Sequence, residues 1–580
     1  MIGLPLDSDS TSKRKKYSIV GGLTFIILLI VFFSTNLFNY FKIAITPIPG
    51  KDSKICPLQN PIAPPSFHKD NSSVLDILYG SKYREQSIER LSGAIQVDTQ
   101  IFDNQPDVDE APEVWAKFKK FHKYLQSTFP LIYENLDVTT VNTYGLVYTW
   151  KGSKKDLKPV LLTAHQDTVP IQKDTLDKWT YPPLEGHYDG KYIYGRGASD
   201  CKNTLIAILE TLELLLKQGY NPSRTIIAAF GFDEEASGVR GAASIGKYLE
   251  EKLGKDSVYA IIDEGPGLTT DALTDTIIAV PATGEKGYTD IHVELITPGG
   301  HSSIPPDHTS IGIMSELGYI IEKDPYESIL TKKNPIFQYF QCVAVHDPKD
   351  KIPKTFKKII LRSGFDKFAN SKLVAKISEN KLLKYLIRTS QALDIIKGGE
   401  KVNALPEDTK LAVNHRVAIE SNVAAVKHHF TQRVIEVAKR HGLKVTSFGK
   451  TVYEPEGTEY AGEFKVTGDA GLESAPISPT DDNVWAYLSG VTRHVFEDLV
   501  YTNLTYPIVS APAIMSGNTD TRYYWNLTRN IFRYSPFYVF NIVGSGVHSV
   551  DERLQFDGHL QLHAWFYEYL QAIDTAKANN

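Results

Sequence analysis

Three short apolar runs, each ending in residues able to hold a metal, constrain this chain more than any other feature. Pro159-Val-Leu-Leu-Thr-Ala runs into His165-Gln-Asp167, Thr225-Ile-Ile-Ala-Ala-Phe leads to Asp233-Glu234-Glu235, and Val258-Tyr-Ala-Ile-Ile runs into Asp263-Glu264-Gly265. Continuous apolar runs of this length mark strands buried on both faces of a parallel sheet. Such sheets bind ligands outside the carboxyl ends of their strands. Three strands ending this way crowd carboxylates into one crevice, at a cost in repulsion and desolvation that a metal cluster removes.

The surrounding pattern agrees. Glu113 to Phe129 has helical spacing, Thr139 to Trp150 reads as extended, and Tyr194-Gly-Arg-Gly-Ala-Ser-Asp200 precedes an apolar helix from Thr204 to Leu216. At 580 residues the chain implies two or three folded units. With 42% apolar and 23% charged residues it has globular composition. A net charge of -5 gives no reason to expect nucleic acid as a partner. Three cysteines cannot build a disulfide framework, and a Cys56–Cys342 bridge is left open.

The motif residues have separable tasks. His165 and Asp167 point to one face of an extended segment, so His165 can bind metal while Asp167 orients it. Glu234 and Glu235 point in different directions, one as ligand and one as general base toward a water. Two metals about 3.5–4 Å apart need a bridging carboxylate. Gly544-Ser-Gly-Val-His548-Ser-Val-Asp-Glu552 places a further histidine in a glycine-flexed loop.

The ordered set HQDTVP, GRGASDCKN, GFDEEASG, IIDEG and GVHSVDE resembles the M20 family of metallopeptidases, and within it the fungal carboxypeptidase S (Gly-Xaa carboxypeptidase) branch. The resemblance runs from about residue 75 to the C-terminus. It implies an α/β fold: a discontinuous zinc-peptidase catalytic domain, a mixed sheet flanked by helices, with an inserted α+β lid or dimerisation domain. It implies that His165 and Asp263 hold one Zn2+, that Glu235 and His548 hold the other, and that Asp200 bridges them. Co2+ or Mn2+ suits the same donors. Glu234 would be the general base and Asp167 the residue that orients His165. Cys201 follows the bridging Asp200, where a thiol could compete for metal, and the family often has a cis peptide there.

From 287 to 468 the α/β rhythm breaks. Asp290-Ile-His-Val-Glu-Leu-Ile alternates like a half-exposed strand, Ser421 to His441 reads as a long amphipathic helix, and lysine-rich residues 326–390 read as an extra helical elaboration. By resemblance this is the lid, through which a homodimer would form. His301 in Gly-Gly-His-Ser would steady the oxyanion, often across a dimer. Asn403 and Arg416 would contact the substrate's backbone or carboxylate, and the Gly517–Arg522 loop, with Asp520, would line the pocket.

Lys13, Arg14, Lys15 and Lys16 precede an uncharged stretch, Tyr17 to Phe41. This reads as a signal anchor, with a cytosolic tail (1–16), a transmembrane helix (17–40) and a Pro- and Lys-rich lumenal stalk (41–72); a cleaved signal peptide is the competing reading, against which no clear small-x-small cleavage site follows. Catalytic segments 73–286 and 469–580 then flank the lid. Sequons at Asn71, Asn503 and Asn526 fall on the lumenal side. The expected function is a dizinc metallo-carboxypeptidase acting on small peptides, membrane-anchored in the vacuole or elsewhere in the secretory pathway. An N-acyl amino acid hydrolase/synthase is the alternative on the same site. A non-catalytic membrane glycoprotein is the alternative of another class.

Overall fold

The computed structural model describes residues 9–34, 36–50, 53–457, 461–539 and 545–579. Residues 1–8 of the expected tail and Gly544 of the His548 loop lie outside the described residues. Helices α1 (Asp9–Ser34), α2 (Leu37–Ala44) and α3 (Ser81–Gln96) come first. Strands β1 (Asp137–Val141), β2 (Gly145–Trp150) and β3 (Val160–His165), helix α4 (Lys202–Lys217), then β4 (Ile226–Gly231), β5 (Ala260–Asp263) and β6 (Ala282–Glu285) follow. The middle of the chain forms β7 (Gly287–Ile296), α5 (Ser310–Lys323), α6 (Pro335–Val345), α7 (Lys354–Arg362), α8 (Lys367–Ser378), β8 (Ser390–Gly398) and β9 (Asp408–Val417). It continues through α9 (Val423–His441), β10 (Lys444–Ser447), β11 (Lys450–Tyr453) and β12 (Glu463–Gly468). The chain returns through α10 (Asn483–Arg493), β13 (Ala513–Met515), β14 (Ile531–Arg533) and α11 (Phe556–Ala572).

The larger sheet has eight strands in the order β1-β2-β4-β3-β5-β14-β6-β13. The three motif strands β4, β3 and β5 are adjacent and parallel, with His165 opposite Gly231 and Leu162 opposite both Ala228 and Ile262. Their carboxyl ends therefore open side by side. Every residue of β3 and β4 is buried. Ile206 and Leu209 of α4 and Leu562 and Trp565 of α11 belong to the core cluster on one face, while Ile245, Leu249 and Tyr524 belong to the cluster on the other. Each such side chain taken out of water stabilises the fold by about 1.5–3 kcal/mol. Thr139 to Trp150 is not one extended run. It folds into the β1–β2 hairpin, where Asn142 and Thr143 take positive φ to turn the chain.

The second sheet runs β8-β9-β7-β12-β10-β11 and carries α5 and α9 on one side. The alternating burial of β7 matches a sheet with one covered face. The segment 326–390 differs from expectation. Although it lies inside the expected lid by sequence, Ile336, Phe340 and Ile360 cluster with Leu273 and Ile514 from the segments that flank it, and the Tyr339 hydroxyl donates to Asp271. Apolar surface on these helices is thus satisfied by the flanking segments.

Residues 41–72 also depart from expectation, because they do not form a free stalk. Ile43 and Cys56 are buried, Cys56 and Cys342 are disulfide-bonded, the Ile62 amide donates to the Gly490 carbonyl at 2.9 Å, and Arg493 donates to the Gln59 carbonyl. The segment is a strap fastened to the body. Upstream, Lys15–Phe33 of α1 is long and apolar enough to cross a bilayer, and it lies exposed.

Candidate active site

His165 ends β3, and the parallel register sets it beside the turn that follows β4. That turn, Asp233–Ser237, carries Glu234 and Glu235. Buried Asp167 holds it: one carboxylate oxygen accepts the Glu234 amide at 3.1 Å and the other the Glu235 amide at 2.9 Å. The His165 Nδ1 faces the Asp167 main-chain oxygen at 3.0 Å and its carboxylate at 3.5 Å. Asp167 thus fixes the Glu234–Glu235 turn at least as firmly as it orients the imidazole.

Asp200 stands between two histidines. Its Oδ1 is 3.1 Å from His165 Nε2 and its Oδ2 is 3.1 Å from His548 Nε2. Glu235 meets His548 at 3.2 Å. His548, brought from a distant segment, has a left-handed backbone with φ of 57° and a half-exposed side chain. The peptide after Asp200 is cis. The Cys201 thiol sits within ligand reach of His165 and Glu264, and burial raises its pKa well above the ordinary thiol range, which keeps it protonated and a weak ligand.

Asp263, expected as a ligand, does not join this group. Glu264, the next residue, places its Oε1 3.5 Å from His165 Nε2. Successive side chains at a strand end point to opposite sides. Glu264 takes the crevice side, while Asp263 is buried on the side of Glu285 and Arg533, which are themselves paired at 3.0 Å. The IIDEG motif contains both acids, and alternation alone cannot say which faces the site.

Glu552 is the second residue that sequence reasoning left without a role. It is buried, pairs with Arg196 at 2.6 Å, and accepts the amides of Gly197, Ser199 and Asp200 at 3.1, 2.9 and 3.1 Å. It clamps the loop that presents Asp200, and its place four residues after His548 was the available signal.

The electrostatics fit metal ions. Glu264 is pushed to about 8, chiefly by burial. Hydrogen bonds to Asp200 and Glu235 draw His548 up to about 10. Burial drives Glu234 well above the usual carboxylate range; the His165 charge opposes this, and Glu264, Asp520 and Glu235 add to it. Protein groups alone balance so much negative charge by taking up protons, and a divalent cation relieves the same repulsion without them. Two imidazoles and three carboxylates are a donor set that suits zinc.

The remaining expected residues are more dispersed. Asp520 is buried beneath the Glu234–Glu235 turn: a Cβ on Gly231 or Gly238 would come within 2.5 or 2.2 Å of its oxygens. Arg522 lies over the Tyr523 ring. The Arg416 guanidinium donates to Asn518 at 2.9 Å and lies over Tyr288, at the junction of lid and pocket loop. His301 and Asn403 are exposed together at a two-stranded ladder in which Gly300–His301 pairs with Ala404–Leu405, and Ser303 bonds the His301 ring at 2.7 Å. Neither belongs to the groups of side chains that could hold a metal. Asn71, Asn503 and Asn526 are all exposed. A cavity of about 670 Å³ opens beside Asp200 and Glu264, with Leu268, Val280, Ile514, Phe537 and Leu554 in its wall.

A mixed sheet whose parallel central strands end at this donor set, completed by the Asp200 and His548 loops, defines a metal-dependent hydrolase of the α/β class. Residues 161–572 match peptidase family M20/M25/M40, and the chain belongs to that family as a metallo-carboxypeptidase or amidohydrolase. It is 39% identical to carboxypeptidase S of Saccharomyces cerevisiae over 99% of this chain and 100% of that one. It is 30% identical to the N-fatty-acyl-amino acid synthase/hydrolase PM20D1 of Mus musculus over 89% of this chain and 93% of that one. The solved structure of human carnosine dipeptidase 1 shares the fold, with a TM-score of 0.57 at 15% identity over 88% of this chain and 100% of that one.

Proposed function

We propose that this chain is a two-zinc carboxypeptidase that hydrolyses the amide next to a C-terminal amino acid in small peptides of the Gly-Xaa kind. The observation that carries this reading is Asp200, which offers one oxygen to each of two histidines from opposite ends of the chain. His165 and Glu264 would hold one ion, Glu235 and His548 the other, and Asp200 would bridge. When bound, the pair acidifies a water and polarises the scissile carbonyl. Glu234 takes the proton of the attacking water and returns it to the leaving amine. Asp167 keeps Glu234 and Glu235 aimed by holding their amides. Arg416 and Asn403 would bind the substrate carboxylate and backbone. His301 would reach the oxyanion by lid closure or from a second copy, a role that the exposed two-stranded ladder and the exposed residues Ile304 and Val402 favour.

The apolar cavity beside the metal residues supports a second reading, an N-acyl amino acid hydrolase/synthase with an extended acyl group in that space. The basic tail, α1 and the exposed sequons support a single-pass enzyme with its body in a vacuolar or other secretory lumen, glycosylated at Asn71, Asn503 and Asn526. Metal analysis of the purified protein, coupled to assays with a Gly-Xaa dipeptide and an N-oleoyl amino acid, tests these readings. About two zinc per chain and turnover of the dipeptide are expected. Turnover of the acyl substrate alone would select the second reading, and activity that survives complete metal removal would overturn both.

A further inference from the structure

The first turns after α1 do more than connect it to the body. Only residues 35 and 36 separate α1 from α2, a reach from Ser34 to Leu37 of at most about 11 Å. The Phe38 ring lies 4.9 Å from that of Phe33, so α2 begins against the end of the apolar helix. One face of α2 is fastened to the insertion: Ile43 is buried, Lys42 pairs with Asp366 at 3.2 Å, and the Tyr40 and Phe368 rings meet at 5.3 Å. The Ala44 carbonyl accepts from Lys358 and the Thr46 hydroxyl from Arg362. Helices α7 and α8 are therefore held at the level where α1 ends.

The opposite face is apolar and exposed. Phe41 and Ala44 of α2, and Ile45 and Ile48 just after it, are exposed, with Phe41 at 51% and Ile45 at 62%, and Phe365, beside Asp366, is 69% exposed. A soluble surface helix turns polar residues outward; a helix lying in a bilayer interface turns aromatic and aliphatic ones outward beside basic residues. The charge fits as well. Residues 354–384 hold nine lysines and arginines against two acidic residues, in a chain whose net charge is -5. Asp366, one of those two acids, is neutralised by Lys42 and Arg362.

We infer that α2 with α7 and α8 forms a docking platform for an anionic lipid surface, which lays the body flat on the bilayer instead of tethering it at a distance. This rests on the reading of α1 as a membrane span, and the test separates the two. The full chain is reconstituted in vesicles with an environment-sensitive fluorophore on Phe365→Cys. Cys201 is buried and the other two cysteines are bonded, so the new thiol is the accessible one. A matched probe on Lys247→Cys, at an exposed position of helix Ala242–Leu253, is the reference, and catalytic activity reports folding.

With anionic lipid carrying nitroxides in the headgroup region, at least twofold stronger quenching at 365 than at 247 is expected. In purely zwitterionic vesicles, or with Lys367→Glu, Lys372→Glu and Lys381→Glu combined, that difference should fall by at least half. Equal quenching at both positions in protein that resists alkaline carbonate extraction overturns the platform and leaves the span. Strong quenching at 365 in carbonate-extractable protein supports the platform and overturns the span. A probe shielded from aqueous iodide yet untouched by lipid nitroxide assigns the face to a protein, a second copy included, and overturns the proposal.

Discussion

At the residue scale, the clearest question is which acid of the Asp263-Glu264 pair serves the site. Glu264 faces His165, and Asp263 is buried toward Arg533. Glu264→Ala should therefore lose close to one metal equivalent per chain and most activity, as read by metal analysis. Asp263→Asn should keep both metals and act on stability instead. Glu234→Gln should retain metal and fold while kcat falls by about 10²–10⁴, the usual range for losing a general base. Glu552 lies outside the candidate metal-holding groups and fixes three amides of the Asp200 loop. Glu552→Gln should weaken metal affinity by about 10–100-fold with KM little changed, as loss of an outer partner does. A KM effect without a metal effect would contradict that role.

At the element scale, helices α3, α4 and α11 share a buried polar knot. Glu210 of α4 meets His559 at 3.1 Å and Arg90 at 3.3 Å, and Tyr83 bonds His563 at 2.9 Å. Burial holds His563 down at about 3; the Glu210 charge opposes this, and His559 and Arg90 add to it. A histidine with a depressed folded pKa takes up a proton on unfolding once the pH drops below its ordinary value of about 6.5. Its contribution is thus fully present above about 6.5 and is lost as pH falls toward 3, with a slope of up to about 1.4 kcal/mol per pH unit. Denaturant unfolding of the wild type and His563→Gln between pH 6.5 and 4.5 should show a shallower pH dependence in the variant. Glu210 is held at about 2, because its partners' hydrogen bonds and charges outweigh burial, so it contributes to acid lability only below that window.

At the scale of the whole molecule, the Cys56–Cys342 bond joins the strap to the insertion across 286 positions. Closing so long a loop restricts the unfolded chain, and removing a native disulfide typically costs about 2–5 kcal/mol. Cys56→Ser should lower Tm by several degrees without changing metal content, as calorimetry and metal analysis would show. It should also loosen the strap, seen as faster proteolysis between residues 45 and 60.

Periodicity and the motif order carried much of this protein. The uninterrupted apolar runs required doubly covered parallel strands, and those strands put His165, Glu234 and Glu235 at one sheet edge because neighbouring strand ends must align. The alternation of residues 290–296 required a sheet with one open face, and the uncharged run after Lys16 required an exposed apolar helix. Direction was not legible. Whether Asp263 or Glu264 turns inward depends on which side of β5 the crevice opens, a property of the sheet's neighbours. Helices α6–α8 read as part of the lid because they lie within it along the chain, yet their apolar faces are satisfied by Leu273 and Ile514 from the flanking segments. The strap read as a spacer because proline-rich sequence is usually unpaired, whereas its partners, Cys342 and Gly490, are hundreds of positions away. Local pattern determines which elements form and what chemistry they can carry; the packing of distant surfaces decides which way each side chain faces and what each segment rests on.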